Sequence, residues 1–150
     1  MKRYARTVSN LLWIMCAGFS LAGCTHNSRI HSKLVYTDWQ LIEIGGKATA
    51  AITEGRHPSL NLSEKTGGAQ GSGGCNRYAS KFTQSGESLS FSTPLASKVG
   101  CASEVNQLEI TFFAALRSVA TQKIEGDQLE LRDDQGKLLM RLQAKAGSAQ

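Results

Sequence analysis

The sequence predicts a mainly β domain with a minor α component, in which about seven or eight short antiparallel strands form a small barrel-like sheet and one amphipathic helix packs against it. Two patterns predict this fold. Short segments that alternate apolar and polar residues recur between turn residues, at the close spacing of a sandwich or barrel. One longer segment instead has an apolar residue at every third or fourth position, which is the period of a helix. A sheet with many short edges tends to curl on itself, and a single helix can cover its open end.

The alternating segments place the strands along the chain. The first segment, 38–44, puts Trp39, Leu41 and Glu43 on one face of a strand. The glycine-rich run 67–74 is interpreted as a strand in a crowded place, because glycine lets another backbone approach closely. The other predicted strands are 50–53, 59–63, 81–83, 88–92, a strand around Ile124, 129–131 and 138–142.

The segment 103–119 is the predicted helix. Its apolar stripe starts after Ser103, a residue type whose hydroxyl often caps a helix. Ile110 and Phe113 lie beside the stripe and widen it, so we expect protein to cover most of the helix. The residues of the stripe are Val105, Leu108, Phe112, Ala115, Leu116 and Val119.

Composition indicates one globular domain and argues against nucleic-acid binding. The chain has 150 residues, of which 41% are hydrophobic and 19% charged. Its formal net charge of +5 invites an anionic partner, but Lys2, Arg3 and Arg6 all precede the domain. Without residues 1–23, fourteen basic side chains face twelve acidic ones, so the argument for nucleic acid largely disappears.

The N-terminus has the layout of a secretory signal and a lipid attachment site. A basic start is followed by an apolar stretch, 11–19, that is too short to span a bilayer comfortably. The next tetrad, Leu21-Ala22-Gly23-Cys24, resembles the lipobox of bacterial lipoproteins, in which the cysteine is linked to diacylglycerol. The resemblance implies that residues 1–23 are cleaved and that lipid on Cys24 tethers the protein to a membrane. The alternative is an ordinary secreted protein whose cysteine sits at the cleavage site by coincidence.

The residues after the cysteine predict where the domain lies. Thr25 stands where aspartate would resemble an inner-membrane retention signal, which favours the periplasmic face of the outer membrane. Polar residues make 24–33 a tether, and the domain is predicted to span 34–143. Small and polar residues make 144–150 a flexible tail.

Counting the cysteines predicts one disulfide. If Cys16 leaves with the signal and Cys24 is lipidated, Cys75 and Cys101 remain as one pair for an oxidising compartment. Closing a loop of that length would stabilise the fold by ~3.5 kcal/mol in the chain-entropy model. Two free buried thiols are the alternative, because the sequence does not show whether the Cα atoms come within bridging distance.

The motif Gly74-Cys75-Asn76-Arg77-Tyr78 has two interpretations. As a structural motif, Asn76 stabilises a turn, Tyr78 packs, and Arg77 extends across apolar surface. As a functional motif, the same polar side chains form a recognition patch beside the disulfide. We favour the structural interpretation, because a glycine-dense neighbourhood usually serves the backbone.

Several segments carry a resemblance to a known family; they are Trp39-Gln40-Leu41, 71–78, Leu89-Ser90-Phe91, Cys101, Glu109 with 112–116, and 126–131. Together they resemble the META domain, also called the HslJ-like family, over residues 34–143. The resemblance implies a single-helix β-barrel-like domain, often on a bacterial envelope lipoprotein, with loose links to heat shock, antibiotic tolerance or virulence. It implies no catalytic residue. Ala102-Ser103 follows Cys101 where relatives commonly have proline, so the entry to the helix is expected to differ slightly.

The sequence carries no recognised pattern for catalysis, a metal or a cofactor. Gly74-Cys75 stands where a phosphate-binding loop has lysine and a hydroxyl. Ser72 is flanked directly by glycines, so the nucleophile elbow is missing. The three histidines are too scattered to predict a zinc site; they are His26, His31 and His57.

These observations predict a non-enzymatic envelope lipoprotein that binds a protein partner or supports outer-membrane integrity under stress. They make no prediction of oligomeric state. One alternative is a barrel that carries a small apolar ligand, which needs a hollow interior that the many leucines disfavour. The other is an envelope enzyme, for which we find no convergent set of acid, base and nucleophile.

Overall fold

The computed structural model describes residues 33–49 and 57–146, and it confirms the predicted mainly β fold. The predicted signal peptide, Cys24 and the predicted strand 50–53 lie outside the described residues. The helix α1, Ser103–Ser118, lies between the seventh and eighth strands. The strands are β1 Trp39–Ile44, β2 Lys47–Ala48, β3 Ser59–Ser63, β4 Gly68–Ser72, β5 Arg77–Ser85, β6 Ser88–Phe91, β7 Leu95–Ala96, β8 Thr121–Glu125, β9 Gln128–Arg132 and β10 Leu138–Ala144.

Eight of these strands close into an antiparallel barrel. Neighbours follow the order β1, β3, β4, β5, β6, β8, β9, β10, and β10 then pairs with β1. The closing ladder runs from Trp39 opposite Ala144 to Ile44 opposite Met140. The two short strands pair outside this order, β2 with β1 and β7 with β5. The barrel therefore protects the first and last long strands from being open sheet edges.

Large apolar side chains fill the described interior. Phe112 and Leu116 come from α1, so the helix supplies part of the core. The remaining large, fully buried side chains are Leu34, Trp39, Leu41, Leu60, Leu62, Leu89, Leu129, Leu131, Met140 and Leu142. The centre of the barrel is thus a packed core, in keeping with its leucine content.

The predicted face of β1 was wrong at Glu43. Trp39 and Leu41 are buried, as the alternation predicts. Beyond them, Ile44 is buried and Glu43 is only partly buried. The register with β10 shifts between Leu41 and Glu43, and such an irregularity reverses the alternation beyond it. Glu43 instead forms an ion pair with Arg141 on β10.

The helix also differs from the prediction in two respects. Ser103 is its first residue rather than its cap, and Ala102 at the capping position makes no side-chain hydrogen bond. Ile110 is 62% exposed, so protein covers a narrower stripe than predicted. One member of the buried stripe is the carboxylate Glu109, which is only 8% exposed.

Candidate functional site

A tight turn, 73–76, connects β4 to β5 and contains the first part of the sequence motif. The Gly73 N–H donates to the Asn76 carbonyl over 2.7 Å, which closes the turn. Gly74 has a φ of 108°, which side-chain-bearing residues rarely adopt, and its N–H donates to Ser72 Oγ. A Cβ on Gly73 would lie 2.6 Å from Glu109 Oε2, so this glycine lets the helix approach closely.

Asn76 connects this turn to the helix and to the segment after β7. Its backbone N–H and Nδ2 donate to the two carboxylate oxygens of Glu109, at 2.6 and 2.7 Å. Its Oδ1 accepts hydrogen bonds from the Val99 N–H at 2.7 Å and from Ser97 Oγ at 2.9 Å. Because the buried carboxylate and the buried amide satisfy each other, Asn76 serves the fold.

The predicted disulfide is confirmed, and it joins the same turn to the approach of α1. Cys75 and Cys101 have an S–S distance of 2.06 Å and Cα atoms 6.0 Å apart. Cys101 lies two residues before the first residue of the helix. The bond and the Asn76–Glu109 contacts therefore hold the turn against the helix independently of each other.

Tyr78 points into the barrel and anchors the start of β5. Its ring makes edge contacts with Phe112 and Phe113, at centroid distances of 5.7 and 5.3 Å. Its hydroxyl donates to the Ser59 carbonyl over 3.0 Å. Burial raises the pKa of Tyr78 well above its ordinary value, so the hydroxyl stays protonated and keeps this donor role.

Arg77 has a different environment from the other residues of the motif. Its side chain is exposed, and within the described residues its guanidinium makes no hydrogen bond or ion pair. It lines a groove of about 320 Å³, which we call the Arg77 groove. The other residues that line the groove are Asp38, Ser59, Leu60, Asn61, Gln70, Gly71 and Lys145.

The structure therefore separates the residues that the sequence placed in one motif. Gly74, Asn76 and Tyr78 are engaged within the fold, whereas Arg77 faces the groove. Sequence analysis did not identify Glu109 as a site residue, although an acidic residue on an apolar helical stripe is a usable signal for a buried polar partner. The groove residues from other strands gave no such signal, because cross-strand register brings them together.

The described residues have neither a metal-ligand cluster nor a membrane-spanning helix. Within 33–49 and 57–146, no three His, Cys, Asp or Glu side chains are grouped so as to hold a metal ion. The helices in these ranges include none with the length and apolar character needed to cross a membrane.

A second cavity, of about 580 Å³, lies between the β1–β2 turn and α1, with Ile44 and Leu108 in its lining.

Comparison with known proteins identifies related sequences and folds. The family model described as META domain matches residues 32–146. No match was found among curated proteins.

Three solved structures have similar folds. An NMR structure of a protein from Burkholderia xenovorans is 27% identical, with a TM-score of 0.62, over 80% of this chain and 89% of that one. Another NMR structure is 22% identical, with a TM-score of 0.60, over 75% and 92% of the two chains. A crystal structure of a DUF4847 family protein from Bacteroides vulgatus ATCC 8482 is 9% identical, with a TM-score of 0.58, over 81% and 99%. At these low identities, the last two indicate a shared fold alone.

Proposed function

Because the chain belongs to the META domain family, we propose that it is a non-enzymatic lipoprotein of the bacterial envelope. In this proposal, lipid on Cys24 holds it at the periplasmic face of the outer membrane. The barrel then presents a binding surface to an envelope protein and supports outer-membrane integrity under stress. Membership of the family supports a small barrel protein.

The disulfide is the observation that carries this proposal. Stable disulfides form in oxidising compartments such as the periplasm and are rare in the cytosol. The bonded residues, Cys75 and Cys101, are the two that remain after Cys16 is assigned to the signal and Cys24 to the anchor. The cysteine usage of the whole chain is therefore consistent with export and lipid attachment.

The contacts of the motif support a binding role more than a catalytic one. The carboxylate of Glu109 accepts two hydrogen bonds from Asn76, and the Tyr78 hydroxyl donates to backbone. These groups are buried and mutually satisfied, which leaves them poorly placed to transfer protons to a substrate. The packed barrel core also disfavours a ligand at its centre.

Metabolic labelling tests the anchor. Cells producing the full chain are grown with a clickable palmitate analogue, and membrane and soluble fractions are compared. We expect label and membrane association for the natural chain and for the matched control Cys16→Ala, whose cysteine lies in the predicted signal. Cys24→Ala should lose both. If the Cys24→Ala protein still carried the label and was recovered in the membrane fraction, lipid attachment at Cys24 would be contradicted.

Crosslinking in living cells tests the binding role, with a small tag after Gln150. One dominant envelope protein, captured by the natural chain and lost with Cys24→Ala, is the expected result. The absence of a reproducible partner would contradict protein binding.

A separate experiment tests whether the protein supports outer-membrane integrity under stress. The entry of a hydrophobic dye is compared between cells that have the gene and cells that lack it. Equal entry in the two after heat or antibiotic stress would contradict this role.

A further inference from the structure

The Arg77 groove has a backbone floor and polar walls. Gly71 lies at the floor, and a Cβ there would overlap the Ser59 carbonyl. The Tyr78 hydroxyl donates to that same carbonyl, which therefore already has a hydrogen-bond partner. The floor is thus closely packed and satisfied, so the side chain of Arg77, which has no partner among the described residues, is the main group that a ligand in the groove could meet.

The groove lies where the regular pairing of β3 with β4 ends. The β3–β4 ladder ends at Asn61 opposite Gln70, whereas the β4–β5 ladder continues to Ser72 opposite Arg77. Beyond Gln70, β4 therefore follows β5 without ladder bonds to β3. A hydrogen bond from the Ser72 N–H to Ser59 Oγ, 3.1 Å long, holds this end of the groove.

The charges around the groove favour an anion. Arg77 and Lys145 are cationic, and Asp38 is the one acidic residue of the lining. Asp38 Oδ1 already accepts a hydrogen bond from Asn61 Nδ2 over 2.5 Å. The guanidinium has no internal partner among the described residues, and a guanidinium matches two oxygens of an oxyanion at once.

From this geometry we infer that the Arg77 groove is a binding site for a phosphate group. Two donors stand on neighbouring strands, Arg77 on β5 and Gln70 on β4, and Lys145, just beyond β10, adds a positive charge to the lining. A tetrahedral phosphate accepts hydrogen bonds from several directions, whereas the two oxygens of a carboxylate lie in one plane. The inference goes beyond the proposed protein-binding role, because it assigns the domain a ligand of a named chemical class.

NMR titration tests the site. The full chain, labelled with ¹⁵N and purified in a non-ionic maltoside detergent, is titrated with inorganic phosphate against sodium chloride of equal ionic strength. We expect saturable shifts of the amide signals of Gln70, Gly71 and Arg77, with a Kd in the range of about 1 mM. Shifts that do not saturate, or that chloride reproduces, would overturn the inference.

Three variants are expected to change the Kd for phosphate in different ways. Arg77→Ala should raise the Kd about tenfold, because it removes a charge-assisted hydrogen bond. Asp38→Asn should lower it, because it removes a like charge from the groove. The control Arg117→Ala, on the exposed last turn of α1, should leave it unchanged. Equal Kd values for Arg77→Ala and Arg117→Ala would overturn the inference, and the dispersion of the same spectra shows whether each variant is folded.

A second probe distinguishes the source of the phosphate. Tighter binding of sn-glycerol 3-phosphate than of inorganic phosphate would support the site and indicate a lipid headgroup. Equal binding would support the site and indicate that the phosphate group alone is recognised. The titration needs neither membrane attachment nor a protein partner, so its failure is distinguishable from failure of the labelling and crosslinking experiments.

Discussion

At the scale of single residues, Asn76 and Glu109 form the polar contact on which the β4–β5 turn depends. The contact joins positions 33 residues apart, and both partners are buried. The Asn76 amide has a defined orientation, because its Oδ1 accepts from the Val99 N–H while its Nδ2 donates to Glu109. Rotating the amide by half a turn would place donor against donor, so the pair has one favourable arrangement.

We therefore expect Glu109→Gln to lower the free energy of unfolding by about 2 kcal/mol. The glutamine oxygen can accept only one of the two hydrogen bonds from Asn76, and its NH₂ group would face the other donor. Urea unfolding at neutral pH measures the change. The matched control is Glu104→Gln on the exposed face of the same helix, which should change stability little. Equal losses from the two substitutions would contradict the role assigned to Glu109.

At the scale of secondary structure elements, an ion-pair network crosses the strands that close the barrel. Glu130 on β9 accepts hydrogen bonds from Arg141 of β10 and from Arg132 of its own strand. Arg141 also reaches Glu43 on β1. The network depends on the shift in register between β1 and β10, because that shift places Glu43 opposite Arg141.

The network should make stability depend on pH. Hydrogen bonds from Arg141, and then from Arg132, lower the pKa of Glu130. Because the pKa is lower in the folded chain than in the unfolded one, this stabilisation is complete above the unfolded pKa and is lost as the pH falls through the folded pKa.

Glu130→Gln should accordingly cost about 1 kcal/mol at neutral pH, a difference that shrinks as the pH falls below about 4. Urea unfolding over a series of pH values measures it. Glu125→Gln is the control, because Glu125 pairs with Lys123 while 66% exposed and should contribute little. A cost of Glu130→Gln that is independent of pH would rule out ionisation as its cause.

At the scale of the whole molecule, barrel closure couples the two ends of the domain. Trp39 at the start of β1 is fully buried, pairs with Ala144 near the end of the domain, and donates through Nε1 to the Leu34 carbonyl. Its environment therefore depends on the closing ladder, whereas far-UV circular dichroism reports the strands and the helix together.

We expect tryptophan fluorescence and far-UV circular dichroism to give coincident urea transitions, because the small barrel unfolds as one cooperative unit. Trp13, the other tryptophan of the sequence, lies in the predicted signal; Trp13→Phe is used wherever the signal is retained, so that Trp39 is the sole tryptophan. A fluorescence transition at lower urea would show that β1 separates from β10 before the remaining barrel unfolds.

Local patterns and residue counts were enough to predict several features before the fold was known. Alternation predicted most strands of the described barrel, the helical period predicted α1, and the number of cysteines predicted the pairing of Cys75 with Cys101. These inferences succeed because the period of apolar residues follows from local backbone geometry. The pairing of Cys75 with Cys101 followed from assigning Cys16 to the predicted signal and Cys24 to the predicted lipid anchor.

The tertiary structure alone decided the features that depend on register between distant strands. It turned Glu43 away from the face of Trp39, placed Glu109 against Asn76, and assembled the Arg77 groove from several elements. A shift of one residue in the register between two strands reverses which face of the sheet the side chains point to, and the local sequence pattern does not reveal such a shift. For that reason the sequence identified Arg77 as a candidate, while only the fold showed that it faces a groove and that its neighbours in the motif do not.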